Sequence, residues 1–211
     1  MTLVDTGEVG SETLVLAAIH RIGRTEHDLV RIVLTHWHHD HTGAAAALAE
    51  RTGAQVCAGR ADAPVIRGHR TGAPPALTPA EEPLMARITG QVVPAPACPV
   101  HRELDDGHTL TDPDPEHPAA IVLAMPGHTP GSIAVHLPGE RLVLTGDIAA
   151  RHEQHVTLGP FNTNRDQARH SLRRLAALDV DAAGFGHGNP ITQHAADALA
   201  SWTDPFAYKG V

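Results

Sequence analysis

The chain has 211 residues, a formal net charge of −8 and an aromatic content of 3%. This length can bury an apolar core without disulfides, and Cys57 and Cys98 are too few for a disulfide framework. The acidic charge and the lack of a basic run argue against a nucleic-acid-binding protein. The longest apolar stretch, residues 14–19, is too short to span a membrane. Because no signal-like segment opens the chain, we expect a cytoplasmic protein.

Strands and helices alternate in the first part of the chain. Ser11 is a suitable helix N-cap and Gly23 a suitable stop signal. The pattern predicts a strand at 3–4, a helix at 11–22, a strand at 29–34, a helix at 44–51 and a strand at 55–58.

Residues 59–97 are rich in proline and glycine, so we expect an insertion or lid-like excursion there. One helix is predicted inside it, at 79–89, with Thr78 as the cap and Pro79 in the first position. We expect a single domain over 1–203 and a loose tail over 204–211.

The rest of the chain consists mostly of short strands separated by Gly/Pro turns. The pattern predicts strands at 101–104, 119–124, 132–137, 141–144 and 182–185, and helices at 165–178 and 192–202. The two halves of the chain are thus similar. They favour an α/β class in which two mixed β-sheets pack together with helices outside, and they do not suggest a doubly wound sheet.

Residues 36–41 place four histidines and one aspartate on the turn between a predicted strand and helix, where such folds usually present their chemistry. His36 and His38 are two residues apart and can share one metal ion. Asp40 and His41 lie further along the turn and can serve a second ion. In a chain with 17 histidines, an accidental His-rich loop is the alternative interpretation.

Three more potential ligands follow predicted strands, each beside glycine: His128, Asp147 and His187. Taken singly, each is more often an ordinary turn residue. Their joint occurrence at strand ends, together with residues 36–41, favours a metal site.

These motifs resemble the metallo-β-lactamase fold superfamily, the glyoxalase II-like metallohydrolases. The matching residues are His36-x-His38-x-Asp40-His41, Pro-Gly-His128-Thr-Pro-Gly-Ser, Thr-Gly-Asp147 and Gly-His187-Gly. The resemblance implies an αββα sandwich with a dinuclear metal site. It also implies that His36, His38 and His128 bind one ion, that Asp40, His41 and His187 bind the other, and that Asp147 bridges both.

The resemblance implies two divalent ions, with zinc first and iron or manganese as alternatives. Two ions can share a hydroxide that attacks a carbonyl carbon, and Asp40 can orient it or pass on a proton. Asp5 is expected to accept a hydrogen bond from a ligand histidine. The leading hypothesis is therefore a hydrolase of a small-molecule ester, thioester or lactone. The alternatives are a mononuclear iron enzyme of the sulfur dioxygenase kind and a metal-binding member without activity.

Several positions depart from individual subfamilies of this fold. Ala150 stands where acyl-homoserine lactonases typically carry tyrosine, and Lys209 is the only candidate for a glutathione-binding basic residue near the C-terminus. The presence of Asp147 disfavours a β-lactamase.

The chain also begins at the segment that other members reach after two or more strands, so we expect a shortened sheet with an exposed edge. That edge suggests a homodimer, which sedimentation would test.

Overall fold

Backbone contacts divide the chain into two units, each with its own sheet and its own apolar core. A computed structural model describes residues 1–111 and 119–207. The first unit comprises Met1–Gly72 and Val92–Leu104, and the second comprises Ala73–Gln91 and the chain from Asp105 onwards.

The first unit contains a four-stranded sheet in the order β1-β2-β3-β4, and all its pairings are parallel. Its strands are β1 (Thr2–Val4), β2 (Arg31–Leu34), β3 (Gln55–Gly59) and β4 (Arg102–Leu104). Its helices are α1 (Glu12–Arg21), α2 (His39–Thr42), α3 (Ala45–Thr52) and α4 (Ala63–Ile66). Parallel neighbours need long crossovers, and α1 and α3 supply the first two.

The second unit contains a mixed sheet in the order β11-β8-β7-β6-β5 and a separate hairpin of β9 and β10. Only the β11–β8 pairing in the sheet is parallel, among the residues described. The strands are β5 (Thr109–Leu110), β6 (Ala120–Ala124), β7 (Ile133–Leu137), β8 (Leu142–Leu144), β9 (Ala149–His152), β10 (His155–Leu158) and β11 (Ala182–Gly184). The helices are α5 (Glu82–Thr89), α6 (Arg165–Ala176) and α7 (Ala195–Ala200).

The predicted strands and the longer helices are confirmed to within a few residues. The helix at 79–89 begins later than predicted, at Glu82, because Thr78 and Glu81 close a turn before it. In this turn the Thr78 N–H donates to the Glu81 carboxylate and the Glu81 N–H donates to the Thr78 carbonyl, each at 2.9 Å. The hairpin of β9 and β10 was not predicted.

The proline-rich segment 59–97 is not one excursion. Ala63 and Ile66 of α4 are buried in the core of the first unit, and the Cys98 N–H donates to the Ile66 carbonyl at 2.9 Å. Residues 73–91 belong instead to the second unit. The single domain over 1–203 stays a prediction.

The described part of the tail is anchored, contrary to the expectation of a loose segment. The Asp204 carboxylate, whose side chain is 7% exposed, accepts hydrogen bonds from Arg165 and Arg169. The Phe206 ring lies below the Arg165 guanidinium, with 5.9 Å from Cζ to the ring centroid. Residues 208–211, which include Lys209, lie outside the described residues. Within the described chain, every helix is too short or too polar to cross a bilayer.

Candidate metal centre

Asp5, at the end of β1, organises the histidine turn of the first unit. Its Oδ1 accepts the backbone N–H of Thr35 at 2.7 Å. Its Oδ2 accepts the Thr35 hydroxyl and lies 2.8 Å from His41 Nδ1. Asp5 has a φ of 59°, a left-handed conformation that Asp tolerates better than most residues. The expected hydrogen bond from a ligand histidine to Asp5 is therefore confirmed.

These contacts determine the tautomers of two histidines. A carboxylate only accepts hydrogen bonds, so His41 carries its proton on Nδ1 and presents the lone pair of Nε2. The single hydroxyl proton of Thr35 likewise points at Asp5. Thr35 Oγ1, 3.0 Å from His36 Nδ1, must then accept from that nitrogen. His36 therefore also presents the Nε2 lone pair, which is the form that binds a metal ion.

His38 lies beside His36 and is packed in place by Trp37. His38 Nδ1 is 2.9 Å from His36 Nε2, close enough for one ion to contact both nitrogens. The Trp37 indole packs against the His38 ring edge, with centroids 4.4 Å apart. Gly72 also packs against the Trp37 indole, and a Cβ at Gly72 would collide with this ring. Trp37 thus packs against the histidine turn.

Asp40 lies in the first turn of α2 and faces Nε2 of His41, the nitrogen that carries the lone pair. Asp40 Oδ2 is 3.7 Å from His41 Nε2, and the Asp40 side chain is 23% exposed. His39 lies on the other side of Asp40, with 3.7 Å from its Nδ1 to Asp40 Oδ1. Asp40 and His41 therefore lie close together, and their role as ligands stays a prediction.

The second unit brings together the other three predicted ligands. Asp147 Oδ2 lies 3.6 Å from His128 Nε2 and 3.3 Å from His187 Nε2. The side chains of His128 and Asp147 are 2% and 7% exposed, whereas that of His187 is 53% exposed. One carboxylate oxygen therefore faces two imidazole nitrogens.

The His128 turn is docked on the start of α6. Gly127 has a φ of 132°, and a Cβ there would collide with the Ala168 backbone. The Thr163 N–H donates to the His128 carbonyl at 3.0 Å, and the Asn164 N–H donates to the Gly127 carbonyl at 2.9 Å. The glycine is thus required by a close approach of two backbones.

Two further residues that the sequence did not single out hold the other ligands. Gly159 packs so tightly against the Asp147 carbonyl that a Cβ would collide with its oxygen. Arg151 donates its N–H to the His187 carbonyl at 2.9 Å and its guanidinium to the Pro190 carbonyl at 2.8 Å. Arg151 lies in the hairpin of β9 and β10, and Gly159 follows it directly. Because the hairpin was not predicted from the sequence, neither residue was assigned to the site.

The donor set suits a divalent metal ion. All seven predicted ligands are imidazoles or carboxylates, which bind zinc, iron and manganese. Burial raises the pKa of Cys57 and raises that of Cys98 to about 11, so both are thiols at neutral pH.

An α/β fold with histidine and aspartate clusters at its strand ends is typical of a class of metal-binding proteins. The family model of the metallo-beta-lactamase superfamily matches residues 2–187, and the chain belongs to this superfamily.

Relatives and solved structures agree with this membership. The chain is 27% identical over 208 residues to the probable metallo-hydrolase YflN of Bacillus subtilis, covering 90% of this chain and 76% of YflN. It is 33% identical over 156 residues to a hydroxyacylglutathione hydrolase of Cereibacter sphaeroides, covering 72% of this chain but only 46% of that enzyme. The crystal structure of TTHA1623 in a di-iron-bound form shares 29% identity and a TM-score of 0.66, covering 97% of this chain and 88% of that one. The predicted α/β fold class, the αββα sandwich of this superfamily, is confirmed.

Proposed function

We propose that the chain is a dinuclear metal-dependent hydrolase of a small-molecule ester, thioester or lactone. The observation that carries the proposal is the position of Asp147, whose Oδ2 faces both His128 and His187. The family motifs assign these two imidazoles to different ions, so an oxygen beside both could contact both ions.

The ligand assignment follows the family motifs. One ion would be held by His36, His38 and His128, the other by Asp40, His41 and His187, and Asp147 would contact both. Membership of the superfamily supports this grouping, because the motifs appear in the family's order along residues 2–187.

Bound there, two divalent ions would supply Lewis acidity and make water nucleophilic near neutral pH. Asp40 would accept a proton from the attacking water and return it to the leaving group, a role that its partly exposed carboxylate beside His41 Nε2 supports. Asp5 accepts the Nδ1 proton of His41, and Thr35 accepts the Nδ1 proton of His36. The Nε2 lone pair of each ring is therefore left for a metal ion. A substrate carbonyl would then meet groups that are already held in position by hydrogen bonds.

Elemental analysis of protein produced with zinc and with iron tests the metal proposal. We expect two ions per chain, with zinc as the first candidate; the di-iron form of TTHA1623 makes iron the second. The loaded protein should then hydrolyse at least one member of a panel of aryl esters, hydroxyacylglutathione thioesters and lactones. Hydrolysis that persists after exhaustive chelation would contradict the proposal.

The iron-dependent dioxygenase is the alternative in a different class. One iron per chain and oxygen uptake with a persulfide would favour it. Arg151, the basic residue closest after Asp147, is engaged by the Pro190 carbonyl and Gln154 Oε1, which gives this alternative no support. Two ions per chain without turnover of any substrate would favour a member that binds metal only. The homodimer and the cytoplasmic location stay predictions.

A further inference from the structure

Glu81 is a fully buried carboxylate outside the set of predicted ligands. It accepts the backbone N–H of Thr78 at 2.9 Å, the backbone N–H of Phe161 at 2.8 Å and a guanidinium N–H of Arg165 at 3.0 Å. Arg165 also donates to Asp204. Glu81 therefore joins the segment 73–91 to the loop before α6, with its charge balanced by Arg165.

Phe161, the backbone that Glu81 holds, has a φ of 60°. A bulky residue rarely adopts this left-handed conformation, which persists only where the surroundings impose it. The Glu81 carboxylate supplies such a constraint, since it accepts the N–H of Phe161 itself.

The loop 159–164 around Phe161 contacts both buried ligand turns of the second unit. At its start, the Gly159 N–H donates to the Ile148 carbonyl, and Gly159 packs on the Asp147 carbonyl. At its end, the Thr163 N–H donates to the His128 carbonyl. Any change in the backbone at Phe161 alters the spacing between these two attachments.

Asn162 closes the loop and adds a second link to the segment 73–91. Its side-chain amide donates to the Gly159 carbonyl at 2.7 Å. Its backbone carbonyl accepts the Ala76 N–H at 2.9 Å. The loop is therefore held by side chains and backbone that come from the segment 73–91 as well as from its own residues.

We propose that Glu81 is a positioning residue for the metal centre: it holds Phe161 in the left-handed conformation and thereby sets the places of His128 and Asp147. This inference rests on the proposed metal site. It assigns to the proline-rich segment a role in metal affinity through a contact 80 residues away in sequence.

The test is the zinc affinity of the Glu81→Gln protein, measured by competition with a chromogenic chelator. Groups that orient metal ligands typically change affinity about 10–100-fold when replaced, and we expect a loss in that range. Glu82→Gln, at the exposed neighbouring position, is the matched control and should bind zinc like the wild type. Equal affinity of Glu81→Gln and wild type would overturn the inference, whereas a wild type that binds no metal would overturn the proposed function.

Rescue distinguishes positioning from a general loss of structure. Asn adopts the left-handed conformation more readily than Phe, so Phe161→Asn added to Glu81→Gln should restore most of the zinc affinity. No recovery in the double variant would contradict a path through Phe161. If Glu81→Gln fails to fold, Phe161→Val provides the test with Glu81 intact. A β-branched residue resists this conformation, so a loss of zinc affinity is expected, and unchanged affinity would overturn the inference.

Discussion

The carboxylate of Asp5 lies 2.8 Å from Nδ1 of His41, a residue 36 positions away in sequence. This contact places the imidazole proton of His41 on Nδ1. Nε2, which faces Asp40, is left with its lone pair. Asp5, which lies outside the predicted ligand set, thus determines which nitrogen of the predicted ligand His41 is available.

Replacement of Asp5 by Asn tests this relationship. Asn keeps the left-handed backbone, but its single carbonyl oxygen can replace only one of the two carboxylate oxygens. Either the Thr35 N–H, or the Thr35 hydroxyl together with His41 Nδ1, therefore loses its acceptor. The affinity for one of the two metal ions should fall about 10–100-fold, as measured by competition titration. Asp166→Asn, at a side chain that is 93% exposed, is the control. Undiminished affinity for both ions would show that Asp5 does not control His41.

Asp147→Asn tests the bridging role. A neutral amide oxygen is a poorer ligand than a carboxylate, so the metal content should fall below two ions per chain and hydrolysis should decrease together with it. Elemental analysis and initial rates on the same preparation measure both quantities. A fully active variant with two ions would refute the bridge.

Gly159→Ala tests the packing behind Asp147. The added methyl group would collide with the Asp147 carbonyl oxygen, and overpacking of this kind destabilises a protein by about 1–3 kcal/mol. Urea unfolding should show this loss, together with weaker metal binding. Gly90→Ala is the matched control, because a Cβ there meets no described atom within 4 Å, and it should be neutral or slightly stabilising. Equal stability of the two variants would be the contrary result.

His136, on β7, makes stability depend on pH. Burial lowers the pKa of this imidazole from its usual value of 6.5, and its Nε2 has no hydrogen-bond partner among the described residues. The unfolded chain therefore takes up the proton first as the pH falls below about 6.5, so this group's contribution to the free energy of unfolding falls with it. His136→Leu removes that contribution. The variant should gain stability relative to the wild type between pH 8 and pH 5, as measured by urea unfolding. A difference that stays constant with pH would contradict the prediction.

Apolar runs predicted most of the strands from the sequence, and residues at their ends predicted the ligands. The candidate ligands His36 to His41, His128, Asp147 and His187 could be named in this way because local spacing and flanking glycines make their motifs recognisable. Prediction from local patterns fails for the hairpin of β9 and β10, whose polar strands carry no strong apolar run, and for the proline-rich segment, where composition suggested an excursion but α4 packs into the core of the first unit.

By itself, then, the sequence determined the fold class and the identity of the candidate metal-binding side chains, because both depend on short-range patterns. Only the tertiary structure decided how those side chains are held. The contacts of Asp5 with His41 and of Glu81 with Phe161 span 36 and 80 residues. Hydrogen bonds over such separations depend on how whole elements pack, which no local pattern encodes.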